Sequence, residues 1–335
     1  MSGLLHIAKA GPLVSVQDAG RFGYQRYGVT PAGPMDRLSF TIANHLLGQG
    51  PMASLEVGLG GLTIEATTPT HIAIAGPALK ATASGVEMSD SQSLVLEAGE
   101  QLNVHPTAPA AFCYIAIAGG LQTAAHLGSR ASHVRSKLGA PPIKAGDHLK
   151  VANQPSRPKC FVLPANAWPT PPARLRLLPG PQQDWFTDAA WAALTQTPYE
   201  ISPRSDRMGY RLNGPELARA IEGDMVSDGI VTGAIQVPPN GAPILLMADR
   251  QTTGGYPKIA VMATADIPFA AQSLPGATLR FEATTMAKAV DALKTQQAWL
   301  AALPQILVAK ISGEGLTSEA LLAQNLVGGV VDARG

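Results

Sequence analysis

Short apolar runs separated by glycine and proline constrain the fold of this chain more than any other feature of its sequence. The 335 residues include 34 glycines and 28 prolines, which are spread along the chain and form no low-complexity tract. Glycine and proline mark turns, and the apolar runs between them have the length of strands. The strand-like runs are 62–65, 71–75, 93–96, 112–117 and 243–248. The sequence therefore predicts a mainly β protein.

A few segments have the apolar spacing of helices instead. They are 34–47, 184–194, 284–303 and 317–326. In the first, Leu38, Ile42 and Leu46 recur at four-residue steps, with a proline near the start and a glycine just past the end. The last two segments predict a helical tail after about residue 285.

Prolines predict the division of the chain into domains. Six of them lie between Val151 and Arg174, where they resist both helix and central strand and favour an extended connector. At 335 residues the chain is long enough for two domains, each with its own core. The expected parts are an N-terminal β lobe at 1–152, a connector at 153–173, a C-terminal β lobe at 174–283 and a helical tail at 284–335.

One short pattern occurs on both sides of the connector. Arg-x-Gly-Tyr-x-x-x-Gly is found at 21–28 and again at 207–214. It predicts two related lobes in which the copies have equivalent backbones and lie near a cleft between the lobes, where ligands often bind. The alternative is a chance match, because motifs this short recur by accident.

Composition excludes several classes of function. The formal net charge is +1 and no basic stripe is present, so nucleic acid is not expected as a partner. No apolar run is long enough to cross a membrane and no signal peptide is evident at the N-terminus. The two cysteines, Cys113 and Cys160, suggest no disulfide framework, which favours a cytoplasmic location. The seven histidines lack the spacing of metal ligands, so no metal site is expected.

The polar run from Asp249 to Lys258 is the strongest candidate for a functional site. It follows the apolar run 243–248 and contains Gly254 and Gly255. Loops after strands often present functional groups, and glycine permits close approach of a ligand. Arg250 and Lys258 are predicted to hold an anionic group or a developing oxyanion. The alternative is a hairpin turn with solvated charges.

Longer motifs resemble those of a known family. The segments 17–23 and 28–36 resemble the N-terminal signature of the C subunit of 5-oxoprolinase, also described as allophanate hydrolase subunit 2, Kip-antagonist-like or biotin-dependent carboxyltransferase-like. Further matching segments are 43–48, 118–120, 128–130, 205–212, 233–238 and 249–258. The resemblance covers about residues 4–282. Ala131-Ser132 departs from the Ser-Thr expected after Arg130, and the tail after residue 285 lies outside these motifs.

The resemblance implies a fold and a set of partners. The fold is a pair of cyclophilin-like β-barrel lobes with a few short helices. The partners are the B subunit of 5-oxoprolinase, with which the chain would activate 5-oxoproline at the expense of ATP, and the A subunit, which would complete hydrolysis to L-glutamate. The ATP would be shared with a partner subunit, because the sequence has no P-loop motif.

Two other functions remain open at this stage. The related domain of urea carboxylase passes a carboxyl group from carboxybiotin to urea, so one alternative is a carboxyltransferase for urea-like substrates. Its biotin would be carried by another chain, since no Met-Lys-Met or Met-Lys-Leu sequence occurs here. The other alternative is a non-catalytic regulatory partner of a Kip-inhibitor-like protein.

The resemblance and the residue chemistry together give a set of site residues. The predicted catalytic residues are Arg250, Lys258, Arg207 and Gln236. The predicted substrate-binding residues are Tyr210, Thr252, Thr253, Gly254, Gly255, Tyr256, Asp18 and Arg21. The cations and the amide would stabilise charge on the oxygen of a small amide substrate, since no nucleophile stands out. The alternatives are ion pairs for the cations, a turn contact for Gln236, core packing for the tyrosines and local backbone bonds for the threonines. Asp36 suits the start of a helix.

Overall fold

The computed structural model describes residues 3–155, 158–223 and 225–310, and it confirms the mainly β fold class. The predicted helix at 317–326 lies outside the described residues. Among the residues described, no helix combines the length and the apolar character needed to cross a membrane.

Two antiparallel sheets form the N-terminal lobe. Their strands are β1 (Leu4–Ala10), β2 (Val14–Gln17), β3 (Ser54–Val57), β4 (Leu62–Ala66), β5 (Thr70–Ala75), β6 (Leu79–Ala83), β7 (Val86–Met88), β8 (Gln92–Leu96), β9 (Gln101–Pro106), β10 (Cys113–Ile117) and β11 (His148–Lys150). One sheet has the order β11-β1-β4-β9-β6-β7, and the other begins β2-β3-β10-β5-β8. The second sheet is extended by β12 (Phe161–Val162) from the predicted connector and β23 (Val308–Ala309) from the tail.

A third sheet forms the C-terminal lobe and comes close to closing into a barrel. Its strands are β13 (Leu175–Pro179), β14 (Tyr199–Ile201), β15 (Gly209–Asn213), β17 (Ala234–Gln236), β18 (Ile244–Leu246), β20 (Lys258–Met262), β21 (Thr278–Leu279) and β22 (Phe281–Ala283). The order is β21-β14-β15-β18-β17-β20-β13-β22. Only Arg280 separates the two outermost strands in the chain, so one bent segment joins both edges of the sheet. A separate ribbon pairs β16 (Asp228–Gly229) with β19 (Thr253–Gly254).

Strands β5 and β10 bury both of their faces, which explains their continuous apolar sequences. Because successive side chains of a strand point to opposite faces, Ile72 and Ile74 pack inside the N-terminal lobe. Ala73 and Ala75 belong instead to the hydrophobic cluster that includes the interior of the C-terminal lobe. One continuous apolar core therefore connects the two lobes.

The helices confirm part of the predicted pattern. They are α1 (Arg37–His45), α2 (Asp188–Gln196), α3 (Ile267–Ala271), α4 (Met286–Ala301) and α5 (Leu303–Ile306). Asp36 caps α1, since its Oδ1 accepts hydrogen bonds from the backbone amides of Leu38 and Ser39 at 2.8 and 3.1 Å. The segment predicted to be helical from 184 starts as a 3-10 turn, and α2 begins only at Asp188.

The predicted tail is not helical throughout its described part. After α5 the chain forms β23, which pairs with β12 of the segment predicted to be an extended connector. The tail therefore returns to the sheet of the N-terminal lobe. Edge strands with open hydrogen-bonding groups favour this kind of pairing.

The repeated pattern does not mark equivalent positions. Residues 21–28 form a loop that ends in a 3-10 turn at 25–27, whereas residues 207–214 contain strand β15. The prediction of equivalent backbones is wrong, because the Gly-Tyr pair of the pattern lies in a loop in the first copy and in strand β15 in the second. Both copies nevertheless lie near the contact between the lobes, as the contacts of Arg21 and Arg207 show.

Candidate functional site

Arg207 joins the two lobes through a buried polar network. Its Nε and Nη2 donate to both carboxylate oxygens of Asp249 at 2.9 Å each, and Nη2 also donates to the carbonyl of Gly33 at 2.7 Å. Its Nη1 donates to the carboxylate of Glu56, which is buried in β3. Burial alone would lower the pKa of Arg207, but the charges of Glu56 and Asp249 outweigh it and raise the pKa. The guanidinium is therefore occupied by its own protein's acids, which favours the structural alternative for this predicted catalytic residue.

Arg250 has a different environment. It follows β18, is 6% exposed, and takes part in none of the ion pairs among the described residues. Its Nε donates to the carbonyl of Ile230 at 3.3 Å, and its Nη2 lies 3.5 Å from Oε1 of Gln25. Burial and the nearby charge of Arg37 lower its pKa to about 10, so it stays protonated at neutral pH. A buried cation that contacts only neutral groups favours an anion as its missing partner.

A loop of the N-terminal lobe covers this cation. Gln25 donates to the carbonyls of Ile230 and Thr252 at 2.8 and 3.3 Å, which ties the loop to the C-terminal lobe. Arg37, at the start of α1, is accessible to solvent, yet desolvation by the surrounding protein lowers its pKa. Two cations thus lie close together, and neither takes part in an ion pair within the described part of the chain, which raises the local affinity for an anion.

Arg21 is the third cation of this region. It is 1% exposed and donates to the carbonyls of His126 and Ala131, at 3.4 and 2.5 Å, while its Nη1 has no hydrogen-bond partner among the residues that the structure describes. Burial lowers its pKa, against the opposing effect of the charges of Asp18 and Asp249. The two carbonyls that Arg21 bonds belong to the segment 126–131. Arg21 therefore supports this segment rather than contacting the cleft around Arg250 directly.

Lys258 is paired at the start of β20. Its Nζ donates to Oδ2 of Asp228 at 2.7 Å and lies 3.4 Å from the carbonyl of Gly229. The hydrogen bond from Lys258 lowers the pKa of Asp228. Asp228 is exposed to solvent. Because it is paired with Lys258, a substrate anion has to displace Asp228 or share the ammonium group with it before it can bind Lys258.

Gln236 is buried at the end of β17 beside the glycines of the predicted loop. Its Nε2 donates to the carbonyl of Tyr256 and its Oε1 accepts from Gln251, both at 3.3 Å. A Cβ on Gly254 would lie 2.8 Å from this Nε2, so a larger residue at position 254 would displace the amide of Gln236. Gln236, Gln251 and Tyr256 line a cavity of about 240 Å³.

The remaining predicted residues are divided between core and loop. Tyr210 is buried and donates to the carbonyl of Ala271 at 2.8 Å, as core packing predicts. Asp18 accepts from the hydroxyl of Ser129 and the backbone amide of Arg130, each at 2.6 Å, and so holds two loops together. Both side chains therefore bond to other residues of the described protein, which favours core packing for Tyr210 and a structural contact for Asp18.

The predicted threonines and glycines of the segment 249–258 shape its backbone. Thr253 and Gly254 pair with the ribbon strand β16, and the carbonyl of Thr252 accepts from the amide of Ile230 at 3.0 Å. Gly255 and Tyr256 are accessible to solvent. These residues place Arg250 and Lys258 on either side of one short ribbon.

Comparisons with known proteins show the family of this chain. Residues 27–283 match the family described as carboxyltransferase domain, subdomain A and B. This chain belongs to that carboxyltransferase domain family. It is 33% identical over 299 residues to the C subunit of 5-oxoprolinase from Escherichia coli K12, in an alignment that covers 88% of this chain and 96% of the relative.

Two solved structures have a similar fold. The crystal structure of TTHA0988 aligns with a TM-score of 0.74 and 34% identity, over 84% of this chain. The urea amidolyase of K. lactis aligns with a TM-score of 0.81 and 26% identity, over 89% of this chain. This chain spans 55% of the first structure's length and 20% of the second's.

Several residues of the site were not found from the sequence. They are Glu56, Gln25, Arg37 and Asp228. Glu56 left a signal, because it is a lone acid within the otherwise uncharged strand Ser54–Val57 and a buried acid needs a partner. Gln25 and Asp228 left no signal in the sequence, since each is a common polar residue in a loop or short ribbon.

The arrangement as a whole can bind a small anion and stabilise negative charge. Arg250 supplies a desolvated guanidinium, Arg37 adds positive potential, and Gln236 brings an amide within the same loop system. Electrostatic stabilisation is strongest where donors are fixed in place and shielded from water. The hydrogen bonds of Gln25 and the ion pairs of Arg207 fix these donors in place, because they hold the two lobes together.

Proposed function

We propose that this chain is the C subunit of an ATP-dependent 5-oxoprolinase. It acts with the B subunit to activate 5-oxoproline, and the A subunit then completes ring opening to L-glutamate. The observation that carries the proposal is Arg250, a buried guanidinium with only neutral partners in the described structure. The similarity to the C subunit of 5-oxoprolinase, over 96% of that relative's length, gives the substrate class.

The substrate's chemistry suits these residues. 5-Oxoproline carries a carboxylate and a ring amide, so it offers one full negative charge and one carbonyl oxygen that becomes more negative on activation. Arg250 can bind either oxygen group through the two parallel donors of its guanidinium. Gln236 can exchange its contact with Gln251 for the ring amide, because its side chain both donates and accepts.

ATP would supply the free energy that makes the stable amide reactive. This chain's contribution is to orient the amide and to stabilise its oxygen, since its sequence has no P-loop motif. The cations Arg250 and Arg37 are compatible with an anionic activated group, because no carboxylate neutralises them in the described structure.

A second function is favoured by one observation. The urea amidolyase of K. lactis aligns with this chain at a TM-score of 0.81. A carboxyltransferase for urea-like substrates, with carboxybiotin delivered by another chain, would use the same donors on a urea oxygen. Turnover that requires urea and a biotinylated carrier, and that ignores 5-oxoproline, would establish this function instead.

The test measures ATP turnover with and without 5-oxoproline. The chain is assayed alone, with the B subunit, and with both the A and B subunits. We expect no 5-oxoproline-dependent turnover by the chain alone and glutamate formation by the full set. Robust turnover by the purified chain alone would contradict the need for a partner.

The role of Arg250 is tested in the same assay. Arg250→Ala is expected to reduce turnover about a hundredfold or more, as the loss of one oxyanion donor typically does. Arg250→Lys is expected to restore little, because an ammonium group cannot replace a planar pair of donors. Arg280→Ala, a change at an exposed arginine between β21 and β22, is the matched control. An Arg250→Ala variant that folds, keeps near-normal turnover and still binds the B subunit would show that Arg250 is structural.

A further inference from the structure

An arginine-lined cavity lies beside the loop that carries Arg250. Its volume is about 240 Å³, and Gln236, Gln251 and Tyr256 form part of its wall. The N-terminal lobe contributes Arg135 from the 3-10 turn at 134–136, and the C-terminal lobe contributes Arg204 and Arg211. The cavity therefore adjoins the proposed substrate site and takes cations from both lobes.

The charge in this cavity is only partly balanced. Asp206 is the one acid among the described residues that line it, and the distance from Oδ2 of Asp206 to Nη2 of Arg135 is 3.9 Å. Oδ1 of Asp206 accepts from the backbone amide of Met208 at 2.8 Å, so this carboxylate also holds the turn before β15. Arg204 and Arg211 take part in none of the ion pairs among the described residues. Three guanidinium groups thus face one carboxylate.

The two unpaired arginines are held at the cavity by their backbones. The amide of Arg204 donates to the hydroxyl of Ser202 at 3.3 Å, and the amide of Arg211 donates to the hydroxyl of Ser205 at 3.0 Å. In β15, Tyr210 is buried and Arg211 is exposed, in keeping with the alternation of a strand. The fold therefore fixes the backbone positions of both arginines at the cavity, and their exposed side chains remain accessible to a ligand.

We propose that this cavity binds the phosphate group of a nucleotide or of the inorganic phosphate released from it. Guanidinium groups bind phosphate oxygens through paired donors, and three of them match the several oxygens of a phosphate better than the two of a carboxylate. The cavity is smaller than the roughly 300–1,000 Å³ of sites for drug-sized ligands, so it takes the phosphate end and not a whole nucleotide.

The position of this site gives it a role in the reaction. Gln236 and Gln251 line this cavity and are hydrogen-bonded to each other, and Gln251 directly follows Arg250 in the chain. A phosphate held by Arg204 and Arg211 would therefore lie beside the amide that is proposed to bind the substrate. This role, unlike the binding itself, rests on the proposed function.

The test measures binding of ATP, ADP and inorganic phosphate by calorimetry at low salt. The titrations use the whole chain, alone and in complex with the B subunit. Arg204→Ala and Arg211→Ala are each expected to weaken binding about 10- to 100-fold, since a hydrogen bond to a charged group contributes about 1.5–3 kcal/mol. Arg280→Ala, the matched change outside the cavity, should bind normally. Tighter binding of ATP than of phosphate identifies the nucleotide as the source, and equal binding identifies the free phosphate.

The outcomes separate this proposal from the proposed function. Unchanged affinity in the double variant Arg204→Ala/Arg211→Ala overturns the phosphate site, as does the absence of binding by all three ligands in both preparations. Arginine-dependent binding in a complex that lacks 5-oxoproline turnover keeps the phosphate site and rejects the proposed function. Normal 5-oxoproline turnover in a double variant that has lost phosphate affinity rejects the role of this site in the reaction and leaves both the binding site and the proposed function standing.

Discussion

Removing the guanidinium of Arg207 is expected to destabilise the protein far more than removing an exposed arginine. Arg207→Met retains most of the apolar stem but leaves the carboxylates of Glu56 and Asp249 without their cation. Glu56 keeps hydrogen bonds from the hydroxyl of Tyr114 and the amide of Met35, at 2.7 and 2.8 Å. The carboxylate of Asp249 accepts hydrogen bonds only from Arg207 among the described residues, so most of the cost arises there.

The expected loss is about 3–5 kcal/mol in the free energy of unfolding, the usual cost of breaking a buried ion pair. That is a large part of the roughly 5–15 kcal/mol that stabilises a typical domain. The assay is urea unfolding followed by circular dichroism and by tryptophan fluorescence. Arg135→Ala is the control, since its pair with Asp206 is 69% and 57% exposed and should contribute no more than about 1 kcal/mol.

A double-mutant cycle isolates the pair itself. Asp249→Asn removes one of the stranded charges, so Arg207→Met should cost less in that background than in the natural chain. The reasoning would be refuted if Arg207→Met lost no more stability than Arg135→Ala. It would also be refuted if the two changes at 207 and 249 were simply additive, because the charges would then not interact.

Three further predictions concern single buried groups. Tyr210→Phe removes one hydrogen bond to a core carbonyl, so we expect a loss of about 1 kcal/mol in urea unfolding and unchanged turnover; a large fall in turnover would return Tyr210 to the site. Burial lowers the pKa of His71 to about 4 from a reference of 6.5. The unfolded chain therefore takes up a proton first as the pH falls, and stability should drop between about 6.5 and 4, at most about 1.4 kcal/mol per pH unit from this group. Unfolding curves of His71→Gln should show a smaller loss over that window, and an identical loss would contradict the assignment. Burial raises the pKa of the Cys113 thiol, so a thiol reagent at pH 8 should reach it only after unfolding, whereas partly exposed Cys160 reacts first; equal rates in the native protein would contradict this burial.

Patterns within a short stretch of sequence predicted the strands and helices that depend on neighbouring residues. The strands at 62–65 and 71–75 and the helix capped by Asp36 follow from apolar spacing and from a cap that bonds amides two and three residues away. The prediction was least accurate in the tail, where α5 gives way to β23. That strand forms because a distant edge strand is available, which no pattern within the tail encodes.

The prediction of a polar site at residues 249–258 had a local cause as well, because polar residues and glycines follow an apolar strand. The roles of the three predicted cations, in contrast, had no local cause. Arg250, Lys258 and Arg207 look alike as residues of polar loops, and they differ only in their partners. Asp228 lies 30 residues from Lys258 along the chain, and Glu56 lies 151 residues from Arg207.

The sequence by itself determined where strands, turns and the cap of α1 form, since these depend on neighbours within a few residues. It also determined that charges and amides would gather after one strand of the second half. Only the tertiary structure decided which cations are neutralised by acids of the same chain and which remain available. The physical reason is that Coulomb pairing depends on distance in space and on burial, and both are set when the two lobes pack together. Within the described structure Arg250 pairs with no acid, and the loop placed over it presents Gln25, whose amide carries no charge.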